Sequence, residues 1–531
     1  MKTSISTNEV ALANIWQQLL GQQPNPDSHF FAMGGNSLLL IRLSIGLSER
    51  VGFSVDVSGL LQNPKFSDMI KHIEQKAGAK SPQYDDSHCF NGLSVPLSFA
   101  QRAVWQAIQN GAGSMNHNMP FSLHILNQLN LDRFKTAMAH LMMRHQIFRA
   151  QVEMNAQSQP MMTLNGEPLT LNILDLSGSL KADKAKCLTD LEYDLFNTPI
   201  QVFNAPLAIL QLVKLSEDEY YFYFNIHHIV FDGVSCELFI KELMDLYSGK
   251  SLPALSVDYF DYIQWESSPS YRDALQPGLS YWQQKLAGYK PLILPFSDHQ
   301  SQDESGELMV RQLSVRHVQA LRILAQTHRT TLFGIFTLAL QIMLERHKVA
   351  GDTVFGAYTA QRVYSEFAQT LGNFINPMMV LKSWQNDQSF AQALATHQEK
   401  MAQDFAWQHI PHETIMDALA ANTGLETGSA LSVSLVFNEQ VLQKEHRQGD
   451  LHLKLESCAD HKIDFAFSTD IEFMVHTDAE GLVVSAAYKL NKVGTPFMQM
   501  LLDELLALLI RFSDIDPTIV MAQVMHGEET P

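Results

Sequence analysis

Two adjacent histidines, an aspartate and a glycine occur within seven residues, His227-His228-Ile229-Val230-Phe231-Asp232-Gly233. An imidazole is the side chain best suited to accept and return a proton near neutral pH. A nearby carboxylate could orient it or cap a turn, and a glycine leaves space beside the backbone. The segment predicts acid/base chemistry, although its spacing is also compatible with core histidines and a helix cap.

The residues before this motif predict the strand that positions it. Residues 219–226 are almost all aromatic or β-branched, and the turn-forming residues 216–218 would join them to the apolar stretch 207–215 as a hairpin. Successive strand side chains point to opposite faces. We therefore expect His228 to continue the face of residues 222, 224 and 226, and His227 the other face, so that the two imidazoles have different roles.

After Gly233 the spacing of apolar residues becomes helical, with Asp232 or Ser235 available to cap the first turn. These apolar positions are Cys236, Phe239, Ile240, Leu243 and Tyr247. A strand end, a tight turn and a helix start are thus predicted to meet at the motif.

A second candidate site is Ser37, which follows Gly34-Gly35-Asn36 and opens an apolar-periodic helix. Its hydroxyl could serve only as an N-cap. Alternatively it is a modification site, because the dipole and free amides of a helix N-terminus favour an attached phosphate.

Composition restricts the class of protein. The 531 residues carry 37 basic and 56 acidic side chains, a net charge of −19, which argues against a nucleic-acid partner. The four cysteines are widely spaced, as expected for reduced thiols of a cytoplasmic protein. No signal peptide is expected at the N-terminus. The longest apolar run, 331–344, is too short for a membrane span and predicts a buried helix.

The chain divides by pattern into a small and a large part. Residues 1–76 predict a helical unit, with apolar positions Val10, Ile15, Trp16 and Leu19 on one helix, Leu40, Leu43 and Leu47 on a second, and Phe66, Met69, Ile70 and Ile73 on a last one. Residues 77–93 predict a linker. The remaining residues exceed what one core usually serves, so we expect two lobes. They include a helix capped by Thr330 that ends near His347, and then a strand at 353–362.

The stretch 27–73, with DSHFFAMGGNSLLLIRL at its centre, resembles the peptidyl carrier domain of nonribosomal peptide synthetases. The resemblance implies that Ser37 carries 4′-phosphopantetheine, added by a phosphopantetheinyl transferase.

The larger part resembles a condensation domain of the same assembly lines. Its motifs occur in the family's order: LSFAQRAVW (97–105), RHQIFRA (144–150), HHIVFDG (227–233), DYFDYIQW (258–265), TVFGAYTAQR (353–362) and LGNFINP (371–377). Ordered matches over more than 300 residues are far more specific than any one motif.

The resemblance implies a four-helix-bundle carrier domain (1–76) followed, after the linker 77–93, by a two-lobed α/β fold like that of chloramphenicol acetyltransferase. The lobes would comprise 94–268 and 269–520, with a tail at 521–531 and the histidine motif at their interface.

The resemblance also assigns roles to residues of the motif. His228 would accept the proton of an acceptor amine or hold that amine, while Asp232 would pair with Arg362 and shape the loop. Gly233 would leave room for the thioester arm or serve only the turn, and His227 would support the site.

This chain departs from the family pattern at three places. Gln361 replaces a glycine, Pro377 replaces a threonine, and the later proline-glutamate motif is Pro411-His412-Glu413 with changed flanks. With His409, this last motif could suggest a metal site, but it lacks a third placed ligand, so structural roles are expected.

Three rival functions remain as alternatives. An epimerization domain shares the histidine motif but needs a second acid or base in a glutamate-bearing motif that this sequence lacks. A heterocyclization domain would have aspartates in place of the paired histidines. A non-catalytic carrier-docking module would retain the fold without the reaction.

The sequence also leads to expectations about partners. It contains no adenylation domain, so a separate loading enzyme or residues outside this chain would load the carrier. No carrier follows residue 531, so the acceptor would be a downstream carrier's aminoacyl group or a free amine.

Overall fold

The computed structural model describes residues 7–35, 37–51, 55, 59–60, 63–76, 89–109, 117–166, 169–295, 306–360, 362, 364–423, 431–438, 445–456, 469–478 and 480–526, with only the backbone of residues 32, 37, 38, 41, 45, 49, 76, 365, 422 and 423. Most of the predicted linker, Gln361 and Cys458 lie outside these residues.

The helices and strands can be numbered in chain order within these ranges. The helices are α1 (Thr7–Leu20), α2 (Ser37–Val51), α3 (Phe66–Lys76), α4 (Phe99–Gln109), α5 (Leu131–Arg144), α6 (Lys181–Asn197), α7 (Gly233–Tyr247), α8 (Tyr259–Glu266), α9 (Pro269–Lys285), α10 (Val315–Thr327), α11 (Leu332–His347), α12 (Phe390–Ala406), α13 (His412–Thr423), α14 (Thr495–Phe512) and α15 (Met521–His526). The strands are β1 (Ser94–Pro96), β2 (Asn118–Ile125), β3 (Gln151–Met154), β4 (Pro160–Thr163), β5 (Leu171–Asp175), β6 (Ala208–Ser216), β7 (Glu219–His227), β8 (Gly306–Ser314), β9 (Val354–Ala360), β10 (Ile375–Leu381), β11 (Val433–Asn438), β12 (Glu445–Gln448), β13 (Leu451–Glu456), β14 (Ile471–Asp478) and β15 (Gly481–Lys489).

The N-terminal unit is helical, as predicted, and has its own hydrophobic core. Helices α1, α2 and α3 bury Trp16 at its centre, where the indole packs edge-on against Phe30 and Phe66. Residues 59–60 are also helical, but no range was predicted for the fourth helix that the resemblance implies. Val10, predicted to be apolar core, instead points to solvent because the buried stripe of α1 is formed by residues 12, 15 and 16.

The larger part contains two six-stranded sheets. The first sheet has the order β12-β13-β2-β7-β6-β5 and the second has the order β10-β9-β11-β14-β15-β8, and β1, β4 and β3 form a small third sheet. This is the two-lobed α/β architecture that the resemblance implied.

The predicted hairpin at the centre of the first sheet is confirmed, because β6 and β7 pair antiparallel across residues 216–219. One face of β7 packs on α7, where the rings of Phe224 and Phe239 stack at 4.6 Å. The other face packs on α6, where Tyr223 contacts Phe196. With helices covering both faces, the β7 sequence is apolar and aromatic almost throughout.

The second sheet is covered by α11, the buried helix predicted from the apolar run at 331–344. The predicted cap of this helix was wrong by one residue. Thr331, not Thr330, accepts the amide hydrogen of Gly334, while the Thr330 hydroxyl donates to Gln398 on α12.

Two features depart from the predicted division of the chain into two contiguous lobes and a tail. Strands β12 and β13, from the C-terminal part of the chain, join the first sheet beside β2. Residues 521–526, assigned to a tail, form α15, whose Met521 and Val524 are fully buried. The other predicted domain boundaries stay predictions.

Candidate active site

The histidine motif lies where β7 ends and α7 begins. Strand β7 stops at His227, and residues 228–230 form a single 3₁₀ turn. The alternation of strand side chains therefore does not extend to His228, which corrects the predicted face of that residue. The two imidazoles nevertheless differ, since His227 is fully buried and His228 only partly.

The hydrogen bonds of His228 define its tautomer. Its Nδ1 lies 2.6 Å from the carbonyl oxygen of Phe231. A carbonyl can only accept, so Nδ1 carries the hydrogen and the neutral ring presents an unprotonated Nε2. That nitrogen is a ready proton acceptor on a partly open side chain.

His227 has the opposite arrangement. Its Nδ1 accepts the amide hydrogen of Ile229 at 3.1 Å, so a neutral ring carries its hydrogen on Nε2. Burial, followed by the neighbouring His117 and His228, holds the pKa of His227 well below its usual value. The ring is thus uncharged at neutral pH and suited to support rather than proton transfer.

Asp232 ties the motif to the second half of the chain. Its Oδ1 caps α7 by accepting the amide hydrogen of Ser235 at 2.7 Å and also pairs with Arg362 Nη2 at 3.0 Å. Its Oδ2 accepts the amide hydrogen of Phe374 at 3.2 Å. Both charged side chains are 1% exposed, so this is a buried ion pair in which both carboxylate oxygens are hydrogen-bonded.

Ser235 extends this connection, although the sequence pointed to it only as a possible cap. Its hydroxyl donates to the carbonyl of Gly372 at 2.8 Å and accepts from Arg362 Nη2 at 2.9 Å. The guanidinium also covers the ring of Phe374 at 4.3 Å. The start of α7 is therefore fastened to the LGNFINP motif by both Asp232 and Ser235.

Gly233 lies beside open space. Its backbone is not left-handed, and a Cβ placed on it would meet no atom within 4 Å. Neither the turn nor a close contact requires glycine here. The sequence could not separate a turn role from a space-keeping role, and the geometry favours the second.

The RHQIFRA motif serves packing around this site. His145 is fully buried and its Nε2 lies 2.7 Å from Glu242 on α7, which also pairs with Arg144. The motif thus fastens the end of α5 to the helix that begins at the histidines.

The residues considered for a metal have other contacts. Glu413 pairs with Arg102 at 3.1 Å, and burial lowers the pKa of both His409 and His412 to about 4. Within the described ranges, no three His, Cys, Asp or Glu side chains are grouped so as to hold a metal ion.

The segment around Ser37 fits a phosphate ester. Helix α2 begins at Ser37 and runs 15 residues, so its dipole and free amides face an attached anion. Gly34 has a left-handed backbone (φ +96°), and a Cβ on Gly35 would lie 2.3 Å from the ring of Phe30. Glycines are therefore required in the loop that presents the serine.

Helix α2 lies against the larger part of the chain. Arg42 Nη2 pairs with Glu237 on the first turns of α7 at 2.8 Å. Ala402 and Phe405 of α12 pack against the core of the N-terminal unit. The helix that begins at Ser37 is thereby joined to the helix that begins at Gly233.

Comparisons with known proteins identify the family of each part of the chain. The family described as "Condensation domain" matches residues 93–516, and "Phosphopantetheine attachment site" matches residues 10–73. The chain therefore belongs to the condensation-domain family, as a carrier-condensation didomain of the nonribosomal peptide synthetase type. The carrier domain is the site of covalent 4′-phosphopantetheine attachment, which implies a phosphopantetheinyl transferase and partner modules.

The curated relatives include large synthases from bacilli. A linear gramicidin synthase from Brevibacillus parabrevis is 28% identical over 463 residues, which cover 83% of this chain and 9% of that protein. Bacitracin synthase 3 from Bacillus licheniformis is 27% identical over 434 residues, covering 81% of this chain and 7% of that protein. This chain thus spans a small fraction of the length of these relatives.

Solved structures show the same fold. The condensation domain from Monacolin K polyketide synthase MokA matches with a TM-score of 0.69 at 16% identity, covering 81% of this chain and 99% of that one. The starter condensation domain of rhizomide synthetase RzmA, a mutant in complex with C8-CoA, matches with a TM-score of 0.66 at 16% identity, covering 81% of this chain and 97% of that one.

In the part of this chain that the structure describes, no helix combines the length and apolarity needed to cross a bilayer.

Proposed function

We propose that this didomain forms an amide bond by transferring an acyl or peptidyl group, held on Ser37 or on an upstream carrier, to an acceptor amine at His228. The observation that carries the proposal is the hydrogen bond from His228 Nδ1 to the Phe231 carbonyl. This hydrogen bond turns the unprotonated Nε2 of His228 away from the backbone, at the place where the loop between β7 and α7 meets the C-terminal lobe.

The work left to the protein is small. When bound, 4′-phosphopantetheine would present the acyl group as a thioester. The amine nitrogen would bond to the carbonyl carbon, the C–S bond would break and the arm would leave as its thiol with the proton lost by the amine. The protein therefore has to orient the amine, move one proton and stabilise the oxyanion. His228 Nε2 takes the amine proton or holds the amine by a hydrogen bond. Gly233 is the first residue of α7, so its amide has no acceptor within the helix and would be available to the oxyanion.

The residues around His228 keep the loop and the space beside it in the conformation that the reaction needs. The Asp232–Arg362 ion pair, together with the Ser235 hydroxyl, holds the loop between β7 and α7 in one conformation. The open space at Gly233 leaves room for the donor. Uncharged, fully buried His227 supports the turn through Ile229 without competing for the proton.

The carrier domain of this same chain is the favoured donor. The Arg42–Glu237 ion pair joins α2 to the helix that follows the histidine motif. A carrier bound there presents the N-terminus of α2 to the condensation half of its own chain. The acceptor would be the aminoacyl group of another carrier or a free amine, and loading would come from an adenylation domain or another enzyme in trans.

A cytoplasmic location belongs to the same proposal, and the wide spacing of the four cysteines along the chain supports it. Epimerization and a non-catalytic docking role are less well supported, because the family match over residues 93–516 is to condensation domains.

Intact-protein mass spectrometry tests the donor assignment. Incubation with a phosphopantetheinyl transferase and coenzyme A should add the mass of one arm to the wild type and none to Ser37→Ala. Octanoyl coenzyme A in place of coenzyme A should deliver an octanoyl arm, and a panel of aminoacyl N-acetylcysteamine thioesters should then remove the octanoyl group as an amide. Loading of Ser37→Ala, or no amide with any amine of the panel, would contradict the proposal.

A further inference from the structure

A third imidazole, His117, lies beside the two histidines of the motif. It immediately precedes β2, in which Asn118 is the cross-strand partner of His227. His117 itself lies just outside this ladder, one residue before its last pair. The rings of His117 and His227 are 6.0 Å apart between centroids, inclined at 42°.

His117 has a ring nitrogen that forms no hydrogen bond within the described part of the chain. Its Nε2 is buried, and no hydrogen-bond partner for it occurs among the residues that the structure describes. His227 Nε2 and Asn118 Oδ1 are likewise buried without a hydrogen-bond partner among the described residues. The amide nitrogen of Asn118 donates to the Thr198 carbonyl, which fixes the orientation of the Asn118 side chain. Buried polar atoms without partners are uncommon in folded proteins and mark places where a water or a ligand group is held.

The same ring is uncharged. Burial, together with the nearby charge of His228, lowers the pKa of His117 to about 4. A neutral imidazole at this position can accept or donate a hydrogen bond.

We propose that His117 is a third functional histidine of the condensation site, whose free Nε2 hydrogen-bonds the acceptor amine alongside His228. The inference rests on the proposed function and adds the residue that orients the amine. An amine carries two hydrogens and needs its lone pair directed at the carbonyl. Two imidazole nitrogens from different segments of the chain would hold both hydrogens and leave the lone pair free.

Histidine NMR on protein without the arm tests the contact directly. The Ser37→Ala protein is labelled with ¹³C at histidine Cε1, and the His117 and His228 resonances are assigned by their loss in His117→Phe and His228→Ala. Addition of propylamine at alkaline pH should then shift both resonances together. His124, on the far end of β2, should not shift. A His117 resonance that stays in place, whatever His228 does, overturns the inference.

Kinetics with loaded protein separates this role from packing. Loss of one hydrogen bond in His117→Phe should lower kcat/KM for the amine about 10-fold, while His117→Gln, which keeps a hydrogen-bonding group, should recover part of it. Arm loading and thermal unfolding should remain as in the wild type. His124→Phe is the matched control, because its ring can still stack on Tyr221.

Two kinetic outcomes would contradict the inference: an unchanged kcat/KM in His117→Phe, or equal losses in the phenylalanine and glutamine variants. If the wild type forms no amide with any amine, the proposed function fails, and the NMR result still decides the contact.

Discussion

At the residue scale, the two motif histidines differ in the nitrogen that each leaves free. A carbonyl acceptor fixes hydrogen on Nδ1 of His228, and an amide donor fixes the lone pair on Nδ1 of His227. The two adjacent histidines thus have opposite neutral tautomers, each set by a backbone group no more than three residues away. The sequence predicted different roles for the pair, but from strand alternation, which ends one residue too early to explain it.

Gly233 provides a prediction at this scale. Gly233→Val should leave the fold intact, because a Cβ there meets nothing within 4 Å, and should lower acyl transfer at least about 10-fold by filling space the donor needs. Gly178→Val is the control, since Gly178 is also in open surroundings outside the left-handed region. Rapid-quench mass spectrometry measures the transfer, and wild-type rates in Gly233→Val would show that the space is not used.

At the element scale, the start of α7 depends on contacts with segments that are distant in sequence. Asp232 and Arg362 are 130 residues apart, and the resemblance to the family predicted their pairing. Ser235 with Gly372, and the entry of β12 and β13 into the first sheet, were not predicted. Local spacing identifies strands and helices, whereas pairing between distant segments leaves no periodic signal in one sequence.

Breaking the buried ion pair should be costly for stability. Asp232→Ala removes the cap of α7 and leaves the buried Arg362 guanidinium without its carboxylate, so unfolding should become easier by about 3–5 kcal/mol. Asp503→Ala, which removes an exposed partner of Arg311, should cost less than about 1 kcal/mol. Urea denaturation measures both, and equal midpoints for the two variants would be inconsistent with a buried, compensated pair.

The contact between α2 and α7 makes a prediction about docking. Arg42→Glu should place like charges beside Glu237 and slow transfer from the arm of the same chain several-fold, more at low salt than at high salt. The exchange Arg42→Glu with Glu237→Arg should restore the rate. The pair is partly exposed, so the effect corresponds to about 1 kcal/mol or less. Failure of the double variant to recover would argue against this docking surface.

At the scale of the whole molecule, burial of neutral histidines should set the acid limit of stability. The pKa is lowered to about 4 in His117, His409 and His412 and to about 3 in His397, and it lies well below the usual value in His227. Unfolded histidines bind protons near pH 6.5. Between about pH 6.5 and 4 the unfolded chain therefore binds more protons, so stability must fall as pH falls.

Buried carboxyls oppose this trend, among them Asp258, Asp404 and Asp470, whose pKa values are raised by burial. Burial raises the pKa of Glu266 to about 7, so this carboxyl stabilises the fold while it remains protonated and loses that contribution as pH rises toward 7. The histidines outnumber these carboxyls, so the net direction is expected to stay the same. Thermal unfolding temperatures should decline from pH 7 to pH 5, more steeply in Glu266→Gln. A higher unfolding temperature at pH 5 than at pH 7 would refute the dominance of the histidines.

The central claim is that His228 carries amide formation by a carrier-bound donor. Single-turnover rapid-quench mass spectrometry of octanoyl-loaded protein with a reactive aminoacyl thioester tests it most directly. His228→Ala should load its arm and unfold like the wild type, yet form amide at least about 100-fold more slowly, as expected for loss of a positioned acid/base group. Amide formation at the wild-type rate in His228→Ala would contradict the claim.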